Sequence, residues 1–214
     1  MPQLKQLSPC NAALAASLQK RSHELKTLKG TAFVRINFKD GKEIAGRGMI
    51  VVKRPDKLRL EVMGPFNQIT AVIIYDSRSL SFLSLQENRL YRDYPFPMEA
   101  SRFPNYLAGL PAGEVKSQDA NHETGFLPSG PCSVNSEDEQ IMINRAGNMK
   151  EIYISETKDE LHPIDVSMDS YKEVDGFMFP FEISISNKEA HIFIRYTNVE
   201  LNQQISDGLF SLPQ

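Results

Sequence analysis

The sequence predicts a mainly β protein: about eleven antiparallel strands in one large curved sheet, with an N-terminal helix and a mid-chain helix in or across its concave side. Three observations carry that prediction. Apolar and polar residues alternate in segment after segment, the period of a strand with one buried face. Turn formers punctuate the segments at Asp40-Gly41, Arg54-Pro55-Asp56, Gly64-Pro65, Asp76-Ser77, Glu87-Asn88, Asp175-Gly176 and Asn187-Lys188. Helical spacing is confined to two stretches. A sheet of that many strands must curl or split, and helices with apolar faces then lie against its hollow.

The first helix spans Asn11 to Lys29, where Leu14, Leu18, Leu25 and Leu28 recur at helical spacings between Pro9 and Gly30. After Gly30 the period becomes two, with Ala32, Val34, Ile36 and Phe38 on one face. Further strands are Ile44 to Val52, Leu58 to Val62, Ile69 to Tyr75, Leu80 to Leu85 and Leu90 to Tyr94. Gly46 and Gly48, on one face of the second strand, suit a strongly bent strand. Pro95 and Pro97 stop the strands. Met98 to Leu110 is helix-like, with Phe103, Tyr106, Leu107 and Leu110 on a shared face and Pro104 interrupting it. From Glu114 to Glu137 the chain reads as loop, with one weak strand near Phe126. Strands resume at Glu139–Arg145, Lys150–Ser155, Pro163–Tyr171, Phe177–Ser186 and Glu189–Leu201, and Ser206 to Phe210 reads as one closing helical turn.

Twenty-four Lys and Arg against twenty-seven Asp and Glu give a net charge of −3. Residues 1–107 are net +8 and residues 108–214 net −11. This asymmetry suits a surface for an anionic partner on the N-terminal side; it is also what solvated faces give if sequence halves are not spatial halves. No stretch approaches the ~18 consecutive apolar residues of a membrane span. The start of the chain shows no signal-peptide pattern, which fits a cytosolic protein or the mature part of an exported one. Cys10 and Cys132 are too few for a disulfide scaffold or zinc cluster; as a pair they would need an oxidising compartment, and as separate thiols they are small apolar residues.

Chemistry is sparse. His23, His122, His162 and His191 form no ligand set, and Asn121-His122-Glu123 reads as a solvated loop. No metal or cofactor motif appears, nor a nucleophile elbow or phosphate loop. Lys158-Asp159-Glu160-Leu161 is internal and so is no retention signal. Aromatics and cations do not interleave as a nucleic-acid platform would need. The sequence therefore predicts no enzyme, no cofactor and no nucleic-acid partner.

What remains is apolar surface. One strand face collects Val34, Ile36, Phe38, Ile50, Val52, Leu58, Leu60, Val62, Ile73, Phe82, Ile141, Ile143, Ile152, Ile154, Val166, Phe179, Phe181, Ile183, Ile192 and Ile194. Such a face makes an ordinary core under two helices, or a partly open cavity fit for an acyl chain. Gly64-Pro65 forces a reversal that places Phe66 at a turn tip, either as an ordinary exposed residue or as an interfacial anchor beside Lys57 and Arg59.

Three segments resemble a known family, the periplasmic lipoprotein carriers and receptors LolA and LolB. Leu58-Arg59-Leu60-Glu61-Val62-Met63-Gly64-Pro65-Phe66 is similar to the receptor's strand and protruding loop, with Phe66 at its apolar position. Pro104-Asn105-Tyr106-Leu107-Ala108-Gly109-Leu110-Pro111 resembles the mid-chain helix ending in Gly-Leu-Pro. Tyr196 to Asn202, then Ile205, Asp207 and Phe210, resemble the carrier's C-terminal end. The chain departs from the family in having no Trp, and Cys10 lacks the small-residue box of a lipidated cysteine.

The resemblance implies one carrier-like domain over 1–214, an open, unclosed half-barrel with a helix region at 1–30 and a lid helix at 98–112. The inward residues of the strand face would then line an acyl-chain cavity, under a lid of Leu14, Leu18, Leu25, Phe103, Tyr106, Leu107 and Leu110. Pro65 and Phe66 would form the membrane or partner contact. It further implies a non-enzymatic monomer that binds acylated lipoprotein or another lipid and meets an anionic membrane surface or a carrier protein. Its place would be the periplasm, anchored to the outer membrane through a removed N-terminal segment. The alternative on the same fold is a sensory or scaffolding module that binds a protein partner or another lipid.

Overall fold

Alternation of period two becomes, in the computed structural model, a single sheet with thirteen antiparallel strands among the described residues. The structure describes residues 10, 12–92, 99–116, 131–136, 139–144, 146–154 and 163–212. Helix α1 (Ala12–Glu24) leads into β1 (Thr27–Phe38), β2 (Glu43–Lys53), β3 (Lys57–Met63), β4 (Ile69–Asp76), β5 (Leu80–Ser84) and β6 (Arg89–Tyr91). A 3-10 turn (Ala100–Arg102) and helix α2 (Phe103–Leu107) follow. The second half contains β7 (Val115–Lys116), β8 (Cys132–Ser136), β9 (Glu139–Ile143), β10 (Met149–Ile154), β11 (Ile164–Val174), β12 (Phe177–Ser186) and β13 (Ala190–Leu201), then a 3-10 turn (Asp207–Phe210).

Strand order is sequence order folded once, because β1 pairs with both β2 and β13. The sheet therefore runs from β6 at one edge to β7 at the other and does not close. These edges are consecutive in the chain, and α2 lies in the connection between them. Sequence halves are thus sheet halves: β1 to β6 form a basic wall, β7 to β13 an acidic one. No helix among the described residues is long and apolar enough to cross a membrane.

Several boundaries differ from the sequence reading. Helix α1 stops at Glu24 because Thr27 to Lys29 pair with Lys53 to Val51 of β2, and Leu28 also faces Leu201 of β13. Ladder pairing on both sides outweighs helical spacing, so Leu25 follows the helix, and Gly30 is interior to β1 instead of a helix stop. Pro104 sits in the first turn of α2 and does not interrupt it, since a first-turn residue has no intrahelical N–H to lose. The lid expected over 98–112 is helical only at Ala100–Leu107. Short strands β7 and β8 lie in the stretch read as loop; the strand expected near Phe126 falls outside the described residues. Gly46 and Gly48 are required by close approach: a Cβ at 46 would sit 2.2 Å from the Met63 carbonyl oxygen, and one at 48 would sit 2.6 Å from a Val34 methyl.

The inner face of the sheet and both helices share one apolar cluster. A smaller one lies outside, where Val51, Val72 and Ile74 are buried with Phe210 of the C-terminal turn that packs on β3 and β4. Lys53 and Lys57 each donate to Asp207 at 2.8 Å and hold its carboxyl at about 2, well below the usual range. Arg59 donates to the carbonyls of Leu209 and Ser211 at 3.0 Å.

Cys10 and Cys132 form a disulfide that ties the segment before α1 to β8 across 122 residues. Closing so long a loop restricts the unfolded chain, so reduction is expected to cost about 2–4 kcal/mol. Denaturant midpoints with and without reductant check this. An unchanged midpoint would mean that the bond constrains nothing in the unfolded ensemble.

Candidate functional site

The inward phase of each strand supplies a continuous apolar wall. Val34, Ile36, Ile50, Val52, Leu58, Leu60, Val62, Ile73, Ile141, Ile152, Phe179, Phe181, Ile192 and Ile194 are all buried in the one cluster, and Phe38 and Phe82 are partly buried against it. Ile143, Ile154, Val166 and Ile183 complete the wall. The lid side chains Leu18, Leu25, Phe103, Tyr106, Leu107 and Leu110 belong to the same cluster, with Leu14 at its margin. Side chains of the helical segments therefore fill the hollow of the sheet. A shallow depression around the β9–β10 turn, lined by Pro131, Met142, Asn144, Ala146, Lys150 and Glu151, includes none of these residues.

Polar side chains tie the helical segments to the sheet, and sequence reasoning missed them. Arg54, in the turn between β2 and β3, reaches under both helical segments. Its guanidinium donates to the Ser22 and Leu25 carbonyls and the Ser22 hydroxyl at the end of α1, and to Asn105 Oδ1 of α2 at 2.8 Å. Burial lowers its pKa to about 10. Its planar fork serves four acceptors on the two segments, one more than the three N–H bonds of a lysine could.

On the opposite wall Glu139 of β9 is 1% exposed. It accepts from the Tyr106 hydroxyl at 2.7 Å, the Ala112 and Gly113 N–H groups at 3.2 and 3.3 Å, and Arg102 at 3.5 Å. Burial raises the Glu139 pKa against these donors and pushes the Tyr106 hydroxyl well above its ordinary range. Tyr196 of β13 adds a third tie, donating to the Leu107 carbonyl at 2.9 Å. Gly109 ends α2 at φ +69°, where a Cβ would also sit 2.6 Å from the Pro180 ring.

The readable signal for Glu139 is its phase: Glu139, Ile141 and Ile143 alternate on the buried face, so a carboxylate stands where an aliphatic is expected. Arg54 carried no comparable signal, since Arg-Pro-Asp reads only as a turn.

The turn between β3 and β4 projects Phe66 at 88% exposure, beside exposed Pro65. It is internally braced: Gly64 N–H donates to the Gln68 carbonyl, Asn67 N–H to the Gly64 carbonyl, and Phe66 N–H to Gln68 Oε1.

No protein-family model and no curated protein matches the chain. Solved structures do. A LolA superfamily protein from Nitrosomonas europaea matches over 96% of this chain and 99% of its own, at 10% identity and a TM-score of 0.55. The chain has a LolA-like fold. A DUF1329 family protein from Desulfovibrio piger matches over 93% and 95%, at 12% identity and a TM-score of 0.56. An outer membrane lipoprotein-sorting protein domain from Vibrio parahaemolyticus matches over 92% and 94%, at 10% identity and a TM-score of 0.53. The LolA-like likeness covers 92–96% of the chain, and at 10–12% identity it is a likeness of fold.

Proposed function

We propose that the protein is a non-enzymatic carrier or receptor for acyl chains, one that takes up lipid-modified proteins in the periplasm and passes them toward the outer membrane. One observation carries this reading. Apolar lid side chains fill the hollow of an unclosed sheet, while the lid itself is held by hydrogen bonds to two charged residues, half-buried Arg54 and buried Glu139. Each CH₂ buried gains ~0.8 kcal/mol, so a long acyl chain would be held too tightly in an empty, rigid cavity. A lid that buries its own Phe103, Tyr106, Leu107 and Leu110 competes with the ligand and makes release possible.

The Cys10–Cys132 disulfide supports an oxidising compartment. The fold it shares with a lipoprotein-sorting domain supports the class of ligand. Phe66 is the contact with the membrane or with the partner that delivers the cargo.

The test is titration with a fluorescent acyl probe, competed by a tri-acylated lipopeptide. Saturable binding that the lipopeptide displaces is expected. A folded protein that binds no probe would overturn the reading, because the hollow would then be a permanent core.

A further inference from the structure

Seven large apolar side chains are exposed among the described residues, and four of them stand at two neighbouring hairpin ends: Phe66 in the β3–β4 turn with Ile69 at the start of β4, and Leu85 in the β5–β6 turn with Leu90 in β6. The tips are joined, since the Leu85 N–H donates to the Thr70 carbonyl at 2.9 Å and β4 pairs with β5. Residues 62–70 carry no charge at all, and the second tip carries Glu87, which accepts from the Tyr91 hydroxyl at 2.8 Å. Both tips also satisfy backbone donors internally. In the first, the N–H groups of Gly64, Phe66 and Asn67 are all bonded within the turn; in the second, the Glu87 N–H reaches Ser84 Oγ at 3.3 Å. A loop entering an apolar interface needs that property, because there is no water to take over an unpaired donor.

Cations flank the pair. Arg89 stacks 4.8 Å over the Tyr91 ring, and Arg47 and Arg92 are exposed on the same half of the sheet. Guanidinium groups beside shallow apolar tips match lipid phosphates beside acyl chains.

We propose that the two tips form one docking corner for an anionic bilayer surface, with Phe66, Ile69, Leu85 and Leu90 entering the headgroup boundary and Arg47, Arg89 and Arg92 meeting phosphate. This rests on the carrier reading and extends its membrane contact from one residue to a two-pronged edge. Two prongs fix the orientation of the protein on the membrane, which a single inserted residue cannot do.

The experiment is flotation of the full chain with vesicles of phosphatidylethanolamine and phosphatidylglycerol. All positions changed are exposed, so folding is checked simply by thermal melting. Leu85→Ser with Leu90→Ser is expected to weaken flotation at least about tenfold, as is Phe66→Ser. All three together should abolish it. Leu209→Ser, at 44% exposure on the C-terminal turn, is the control and should float as wild type does. Vesicles of neutral phosphatidylcholine should bind less, and added salt should weaken binding to the anionic ones. The proposal is overturned if the Leu85/Leu90 variant floats like wild type, or if wild-type protein does not float at all. Probe titration of the same variants separates the two ideas: intact acyl binding with unchanged flotation removes the corner and leaves the carrier.

Discussion

Phe103→Ala is expected to lose about 3–5 kcal/mol of stability and yet to bind an acyl probe more tightly. Phe103 is wholly buried and belongs to α2, so its removal leaves a void in the hollow of the sheet. In an ordinary core that is pure loss. In a lidded carrier the same ring competes with ligand, and the apparent affinity is reduced by the fraction of molecules whose lid is open. Weakening closure by about 3 kcal/mol would raise that fraction roughly a hundredfold, until the open state predominates.

Ile36→Ala supplies the comparison. It also empties a fully buried site, but on the wall and not the lid. Its stability should fall by about 2–5 kcal/mol with no gain in probe affinity. Guanidinium melts and probe titrations on the two variants check this, and equal affinities would count against competition by the lid.

How much of this was legible beforehand depends on which interactions decide each element. Strands β1, β3, β11 and β13 follow from alternation, because one buried face imposes period two; β4 is legible instead as a continuous apolar run, Ala71 to Tyr75, buried on both faces. The extension of β1 back to Thr27 was not legible. Leu25 and Leu28 fit helical spacing, and only pairing with β2 and β13, both remote in sequence, converts that stretch to strand. Two-residue β7 is fixed by its neighbour β8 and has no periodicity of its own to read.

The apolar wall was legible for the same reason as the strands. Its polar anchors were not, except where phase gave one away: Glu139 breaks an aliphatic alternation, whereas Arg54 acts through acceptors on residues 22, 25 and 105 that only the fold brings together. The charge asymmetry became interpretable through topology. Because the chain folds once about β1 and β13, a bias along the sequence is a bias across the sheet.

Glu139 carries the other large effect. Glu139→Ala removes the acceptor shared by Tyr106, Arg102 and the Ala112 and Gly113 N–H groups, leaving a partly buried cation and three donors without it. Stranding such groups costs about 3–5 kcal/mol, and the cost falls on the closed lid. Protonation should act on the same contacts. The folded pKa of Glu139 is raised, chiefly by burial, so the closed state binds this proton more tightly than the unfolded chain does. Its stability is therefore greatest below the ordinary carboxylate range, declines as pH rises from that range through the raised pKa, and levels off above it. Among the described residues the charged groups facing this carboxylate are Arg102 and, through Arg102, Glu99; Tyr106 stays neutral throughout because its own pKa is raised further from neutrality. Hydrogen exchange of the α2 amides between about pH 4 and pH 8, corrected for intrinsic rates, should show protection falling with pH in the wild type. In Glu139→Gln it should be flat and lower at acid pH, because only one side of the amide accepts: its oxygen can take the Tyr106 hydroxyl, but its NH₂ would then oppose the Ala112 and Gly113 N–H donors. A wild-type profile parallel to that of Glu139→Gln would place the proton elsewhere and leave Arg54 as the main restraint on the lid.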